Sequence, residues 1–526
     1  MEQPIRSAVI IGAGHNGLVT ASYLAEQGLE VIIVERATTP GGAVATDDLF
    51  NGYRASPGAM QLYLLQSKVV EELDLLEHGL QIAPMDPAYV TPFEDGRVLI
   101  QWRDPTLTRQ EVAKFSKHDA DNFPRWVDFW RCVGEIFDPY TLDHEPPTIA
   151  KLASGLQGTP HGDVLDVLIN WSIRRFMSHY FENEQVQAAL MPNSDTKSLD
   201  EPGELLGWAM TSPNRGARPE HQGLPIGGMG QVSEALAKAA RSRGVEIRVN
   251  AEVSRILLKE GRACGVELLD GTTMFSDIVV SNADPKHTFG KLIRDDLQHI
   301  DLRQRVDQLD TESGSLKFHA AVDELPDFTR YFGEGHDPHL LGMIRIAPSV
   351  SYIEKSLSDA ASGRATDSPI LIVQIPTVYD STAAPRGKHL VSIRVKFEPS
   401  KLREGSWSEL REVLTQQIID TMTQYAPNFR RSIRDCHLST PDDIAARTGM
   451  TDACIHHINH TATSAMGSRL FPGGGYATPI PGLVMCGAGT HPGGDVTGAP
   501  GRNAASFILS TLVTESTTPR AGNTSD

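Results

Sequence analysis

The stretch Val9-Ile-Ile-Gly12-Ala-Gly14-His-Asn-Gly17-Leu-Val-Thr-Ala-Ser-Tyr-Leu-Ala-Glu-Gln-Gly-Leu-Glu-Val31-Ile-Ile-Val34-Glu35-Arg36 decides the fold. Ala8–Ile11 is a short apolar run suited to a buried strand, and Val31–Val34 is a second one. Between them Leu18, Ala21, Tyr23, Leu24 and Ala25 recur at helical spacing. Gly12, Gly14 and Gly17 stand where a strand must turn sharply, approach a pyrophosphate and pack a helix on a sheet. The helix start presents unpaired N–H groups and a partial positive charge to phosphates. Glu35 lies 18 residues after Gly17, close to the roughly 20 expected of an acid that binds ribose hydroxyls. An acid there disfavours a 2′-phosphate. The unit is therefore a Rossmann-type βαβ dinucleotide site with Gly12, Gly14, Gly17, Glu35 and the adjoining Arg36 as candidate contacts. Spacing alone does not choose between FAD and NAD.

The opposite end of the chain favours the longer cofactor. Leu483–Met485 forms a short apolar strand, a glycine-rich loop follows ("CGAGTHPGGDVTGAPGRNAA"), and a helix starts near Ala499. A second strand–loop–helix unit so far along the chain fits a second contact with one extended molecule, which FAD needs and NAD does not. Its helix start would face the flavin pyrimidine, where negative charge grows on reduction. Gly487, Gly489, Asp495 and Val496 are the candidate contacts there. A third piece lies between, with a glycine turn, a helix from about Gln231 and strands near 245–249, 255–258, 265–269 and 277–280. No second nicotinamide fingerprint is present.

The bulk numbers narrow the rest. The chain has 526 residues and 40% hydrophobic content, enough for two intertwined domains. A formal charge of −18 repels phosphate backbones and argues against nucleic acid as a partner. The five cysteines are scattered and never C-x-x-C, which fits a reducing compartment. No apolar run reaches the ~18 residues of a membrane span, and the first strand begins too early for a signal peptide. The expectation is a soluble cytoplasmic protein, with peripheral membrane contact left open.

The motifs together resemble those of the phytoene desaturase-like FAD-dependent oxidoreductases, and within them the pyridine nucleotide-disulfide oxidoreductase domain-containing protein 2 group. The resemblance rests on the opening stretch with "PGG", "GGMGQVSEALAKAA", "SNADP", "SLKFHAAVDELP" and the C-terminal glycine loop, in family order over nearly the whole length. It implies a glutathione-reductase-like FAD-binding domain interleaved with an α+β substrate domain. The cofactor domain would comprise residues 1–89, 216–291 and 442–526, and the substrate domain residues 90–215 and 292–441. It also adds Gly41 and Gly42, near the ribityl and phosphate region, and Val253 as cofactor contacts.

The implied activity is hydride transfer between a substrate carbon and flavin N5, forming, reducing or moving a C=C bond in a small apolar molecule of carotenoid, terpenoid or lipid type. The electron acceptor is open, with quinone or oxygen as candidates. Two alternatives remain, an amine (C–N) oxidase and a non-catalytic prenyl or lipid carrier of the Rab GDP-dissociation-inhibitor type. His460 and His491 match histidines of the resembling group and are candidate proton carriers. Asp495 departs from the pattern, because relatives usually have glycine there. It is a candidate for ribityl binding or for accepting a substrate proton. Gly489 stands where amine oxidases carry a glutamate. His456, His457 and His460 cluster in sequence without a carboxylate or cysteine set around them, so no metal site is expected. Lys317, in "SLKFHAAVDELP", matches a lysine of relatives; the resemblance offers the amine-oxidase lysine that holds a water near flavin N5 as one reading, and a strand-end side chain facing solvent is the default one. Residues Leu165, Leu168, Ile169, Ile173, Phe176, Met177 and Tyr180 are expected on one helical stripe, more as core than as a substrate-tunnel lining or a membrane-facing lid. The tail from Thr514 onward is expected to be disordered.

Overall fold

The computed structural model describes residues 5–192, 196–211, 216–293 and 300–517. Two sheets organise them. The first has five parallel strands in the order Leu483–Met485, Ile278–Ser281, Ser7–Ile11, Glu30–Val34, Glu246–Arg248. Its strands are short, and all but the edge strand Glu246–Arg248 are apolar and largely buried, as expected of a parallel sheet covered on both faces. The helix His15–Glu26 leaves the first strand through the glycine loop. The helices Gly230–Ser242 and Ala499–Thr517 pack against it, and these elements share one core with the sheet.

The second sheet has seven strands in the order Ile433–Ser439, Gly314–Val322, His389–Glu398, Ile370–Gln374, Met343–Ile346, Tyr89–Pro92, Val98–Gln101. Neighbours are antiparallel except Met343–Ile346 beside Tyr89–Pro92. Residues alternate between its two faces. Leu316, Phe318, Ile344, Leu371, Val373, Val391 and Ile393 belong to the core built with the helix Trp407–Tyr425. Lys317, Arg345, Ile372 and Arg394 lie on the opposite face, over a large cavity.

A block of helices closes that cavity. Lys117–Thr141 and Glu204–Thr211 supply Trp126, Trp130 and Trp208 to its wall. The single stripe expected over 165–180 is corrected to two helices, Gly162–Asn170 and Ile173–Tyr180. Ser172 breaks them by capping the second, its hydroxyl accepting from the Arg175 N–H at 3.2 Å. Leu165, Leu168, Ile173, Phe176, Met177 and Tyr180 are all core residues of this block. The final helix runs to Thr517, and the remainder of the expected disordered tail lies outside the described residues. No helix among the described residues is long and apolar enough to cross a membrane.

Candidate active site

The glycine loop is tied to the end of the second strand. The Glu35 carboxylate accepts from the Ala13 N–H at 2.7 Å and from the Ala37 N–H at 2.8 Å. Gly41 donates its N–H to the Ala13 carbonyl at 3.0 Å, which lays Gly41 and Gly42 along the loop. A methyl group on Gly17 would stand 2.3 Å from the Gly12 carbonyl oxygen, so only glycine permits this turn. Asn282, from "SNADP", lies against the loop, its amide 3.4 Å from the same carbonyl.

The two glycine-rich regions meet here. Gly501, in the first turn of the last helix, sits so close to Asn16 that a Cβ would fall 2.3 Å from the Asn16 carbonyl. Thr20 donates its hydroxyl to the Gly501 carbonyl at 2.9 Å. Two helix N-termini therefore converge, and Gly14 caps one of them without a side chain, leaving its N–H groups free for a ligand. The His15 Nε2 is buried in the cavity wall with no partner among the described residues. This donor set fits a dinucleotide that enters at the glycine loop and extends into the cavity.

The remaining expected contacts do not all face it. The Ala251 N–H donates to the Glu35 carbonyl at 2.8 Å, which brings the strand beginning at Val253 alongside. Arg36 is turned away, and its guanidinium donates to the Ala446 and Arg447 carbonyls at 2.7 and 2.8 Å. Gly487 packs on the Asn282 carbonyl, and Gly489 packs on Pro285. Val496 lines the cavity.

The cavity has a volume of about 1590 Å³, well above the 300–1,000 Å³ of an ordinary ligand pocket. Asp495 projects into it from a backbone at φ +63°, a left-handed conformation that favours glycine. Its carboxylate accepts from the Tyr63 hydroxyl at 3.1 Å and stands 3.7 Å from His456 Nε2. Burial works to raise its pKa, but His456, Arg394 and Tyr63 outweigh that and hold it below the usual carboxylate range. Burial keeps His15 neutral, its pKa brought down to about 4 with help from His457. Burial, with the Asp495 charge, pushes the Tyr63 hydroxyl well up.

His460 and His491 are placed differently. The His460 ring stacks edge-on against His456 with centroids 4.9 Å apart. His491 is fully buried, its Nε2 2.7 Å from the Tyr140 carbonyl, and its own carbonyl accepts from the Tyr476 hydroxyl. Neither lines the cavity among the described residues, whereas His456 does. His457 points instead at Gly487.

Lys317 requires a correction. It is not a solvent-facing strand end. It lies inside the strand Gly314–Val322, is 2% exposed and lines the cavity. Both faces of this strand are covered, one by the helix-packed core and the other by the cavity. Burial, with the nearby Arg394 charge, lowers its pKa to about 7. Sequence reading also missed Tyr63, Tyr89, Arg345 and Arg394. The available signal was a lone arginine inside an apolar strand, in "GMIRIA" and "VSIRVKF".

Comparison with known proteins agrees with this fold. Residues 17–506 match the family model described as flavin containing amine oxidoreductase. Pyridine nucleotide-disulfide oxidoreductase domain-containing protein 2 of Rattus norvegicus is 31% identical, over 97% of this chain and 94% of that protein. A limonene dehydrogenase polypeptide of Castellaniella defragrans is 27% identical over 95% and 94%. Phytoene desaturase (lycopene-forming) of Pantoea ananas is 24% identical over 97% and 100%. An oxidoreductase from Methanosarcina mazei shares the fold, with TM-score 0.61 at 17% identity over 96% of this chain and 100% of that one. The expected fold, FAD as cofactor and oxidoreductase character all agree with these matches. The chain belongs to the flavin-containing amine oxidoreductase family.

Proposed function

We propose that this FAD-dependent oxidoreductase forms, reduces or moves a C=C bond in a largely apolar small molecule. The observation that carries this reading is the cavity's aromatic wall, with Phe123, Trp126, Trp130 and Trp208 supplied by the helical block. Such a wall gains free energy by removing hydrocarbon from water, about 25 cal/mol per Å². The similarity to a limonene dehydrogenase and to phytoene desaturases points the same way. When bound, FAD supplies hydride acceptance and donation at N5.

This chain's own residues hold the substrate carbon in place and manage the accompanying proton. In this reading residues 1–89, 216–291 and 442–526 hold the cofactor, and residues 90–215 and 292–441 hold the substrate. Asp495 is the proton acceptor, ionised at neutral pH, and Tyr63 and His456 fix its orientation. His460 supports His456, and His491 braces the loop behind them. The amine reading is disfavoured by charge, because Lys317, Arg345 and Arg394 line the same cavity and repel an ammonium group.

The test is an anaerobic spectral screen of the purified protein against terpenoids, unsaturated lipids and amines. An unsaturated or saturated hydrocarbon substrate should bleach the oxidised-flavin band, or reoxidise the chemically reduced flavin. Bleaching by amines alone would defeat the reading.

A further inference from the structure

Three cations share one rung of the seven-stranded sheet. Lys317 is paired in register with Arg394, Arg394 with Ile372, and Ile372 with Arg345. At about 4.8 Å per strand the rung spans roughly 14 Å, and all four side chains line the cavity. Arg345 is 5% exposed. Its Nη1 donates to the Ala189 and Met191 carbonyls at 3.3 and 3.2 Å, while its Nε and Nη2 are buried without partners among the described residues. The Lys317 Nζ and the Arg394 Nε are also buried without partners among them. No carboxylate of the described residues forms an ion pair with any of the three. Asp495 is the nearby acid, and it is engaged by Tyr63 and His456.

Unpaired buried cations are costly, and a structure retains them where a ligand completes them. The rung is on a different sheet from the glycine loop, and the phosphates of a dinucleotide belong to the helix N-termini. The chain as a whole carries −18, so the cationic floor is a local construction. A guanidinium offers a flat fork of donors that matches two oxygens of one anion.

We infer that the substrate is amphipathic: its oxyanionic head, carboxylate or phosphate, is held by Arg394, with Lys317 and Arg345 on either side, and its apolar body lies along the tryptophan wall. This rests on the proposed reading of the cavity and narrows its substrate class. A neutral hydrocarbon would leave the Lys317 Nζ, the Arg394 Nε and the Arg345 Nε and Nη2 without acceptors.

The experiment is a binding titration of the FAD-loaded protein, with no turnover required, so its failure is distinct from failure of the redox reading. The probes share one chain and differ in head: hexadecanoate, hexadecyl phosphate, methyl hexadecanoate and hexadecylamine. The acid, the phosphate or both should bind roughly tenfold or more tightly than the ester, and which of them does so identifies the head. That preference should shrink in high salt. Arg394→Gln, and separately Lys317→Met, should lower affinity for the preferred anion while leaving the ester unchanged. Equal binding of acid, phosphate and ester overturns the proposal. So does preference for the amine, absence of binding by either anion at millimolar concentration, or an undiminished preference in both variants. If one variant fails to fold, the other variant and the wild-type ranking still decide.

Discussion

Lys317 and Arg394 face one another across antiparallel strands, both directed into the cavity. Like charges placed directly opposite in a sheet are destabilising, and burial adds to the cost. Lys317→Met is therefore expected to stabilise the fold. The sign follows from proton binding. The folded-state pKa is about 7, and the ordinary value is 10.5. Between those values the unfolded chain binds more protons than the folded one, so this group's destabilisation fades as pH rises. The advantage of the methionine variant should be greatest at or below pH 7 and should vanish near pH 10.5. Its ceiling is several kcal/mol, at about 1.4 kcal/mol for each pH unit between the two values. Denaturant unfolding of both proteins across that range measures it.

Gly17→Ala tests the cofactor loop. The added methyl group meets the Gly12 carbonyl at 2.3 Å, and backbone cannot swing aside as a side-chain tip can. The loop must open, which spoils the N–H array at the helix start and its tie to Glu35. A loss of FAD by about tenfold or more in affinity is expected, read from the ratio of flavin to protein absorbance after purification. Full retention of flavin would show that the phosphates lie elsewhere.

The parallel-sheet half was legible because its constraints are local. Glycine spacing, a helix start and an acid at the strand end lie within Val9–Arg36, and the second loop repeats that logic near Gly487. The floor of the cavity was not legible, because it is made by register. Lys317, Arg345 and Arg394 stand far apart in sequence, and only strand pairing places them on one rung. Lys317 and Arg345 are each the one Lys or Arg of an otherwise largely apolar strand, Arg394 shares its strand with Lys396 and Glu398, and a one-residue slip would turn these charges to the opposite face. The helical block was partly legible. Its stripe from Leu165 to Tyr180 reads correctly as core, but Ser172 divides it with a cap that the apolar spacing does not reveal. Asp495 stood out as a departure from the glycine that the resemblance leads one to expect, and its left-handed backbone is one that favours glycine.

Arg469 supports the loops that carry the histidines. It is 1% exposed, and its guanidinium donates to the carbonyls of Ser464, His456, Ile458 and Ala488. Arg469→Leu leaves these buried acceptors without their donor. A loss of about 3–5 kcal/mol is expected, with the urea midpoint as the measurement. His456 should shift with it, so flavin reduction by any active substrate should slow even where the protein remains folded.

Asp495→Asn separates the two roles open to this residue. The amide keeps the size of the carboxylate and can still accept from Tyr63, but it has no charge and cannot take a proton. If Asp495 accepts the substrate proton, the variant should keep its flavin and lose about 10²-fold or more in the rate of anaerobic flavin reduction. If instead it binds ribityl hydroxyls, flavin content should fall first. The pH profile gives a second check. His456, Arg394 and Tyr63 hold the carboxyl below its ordinary range, so the wild-type rate should show no inflection from this group near neutrality and should fall only in acid. That acid limb should disappear in the variant. An Asp495→Asn protein that reduces its flavin at the wild-type rate would remove this carboxylate from the chemistry and return the proton to solvent or to His456.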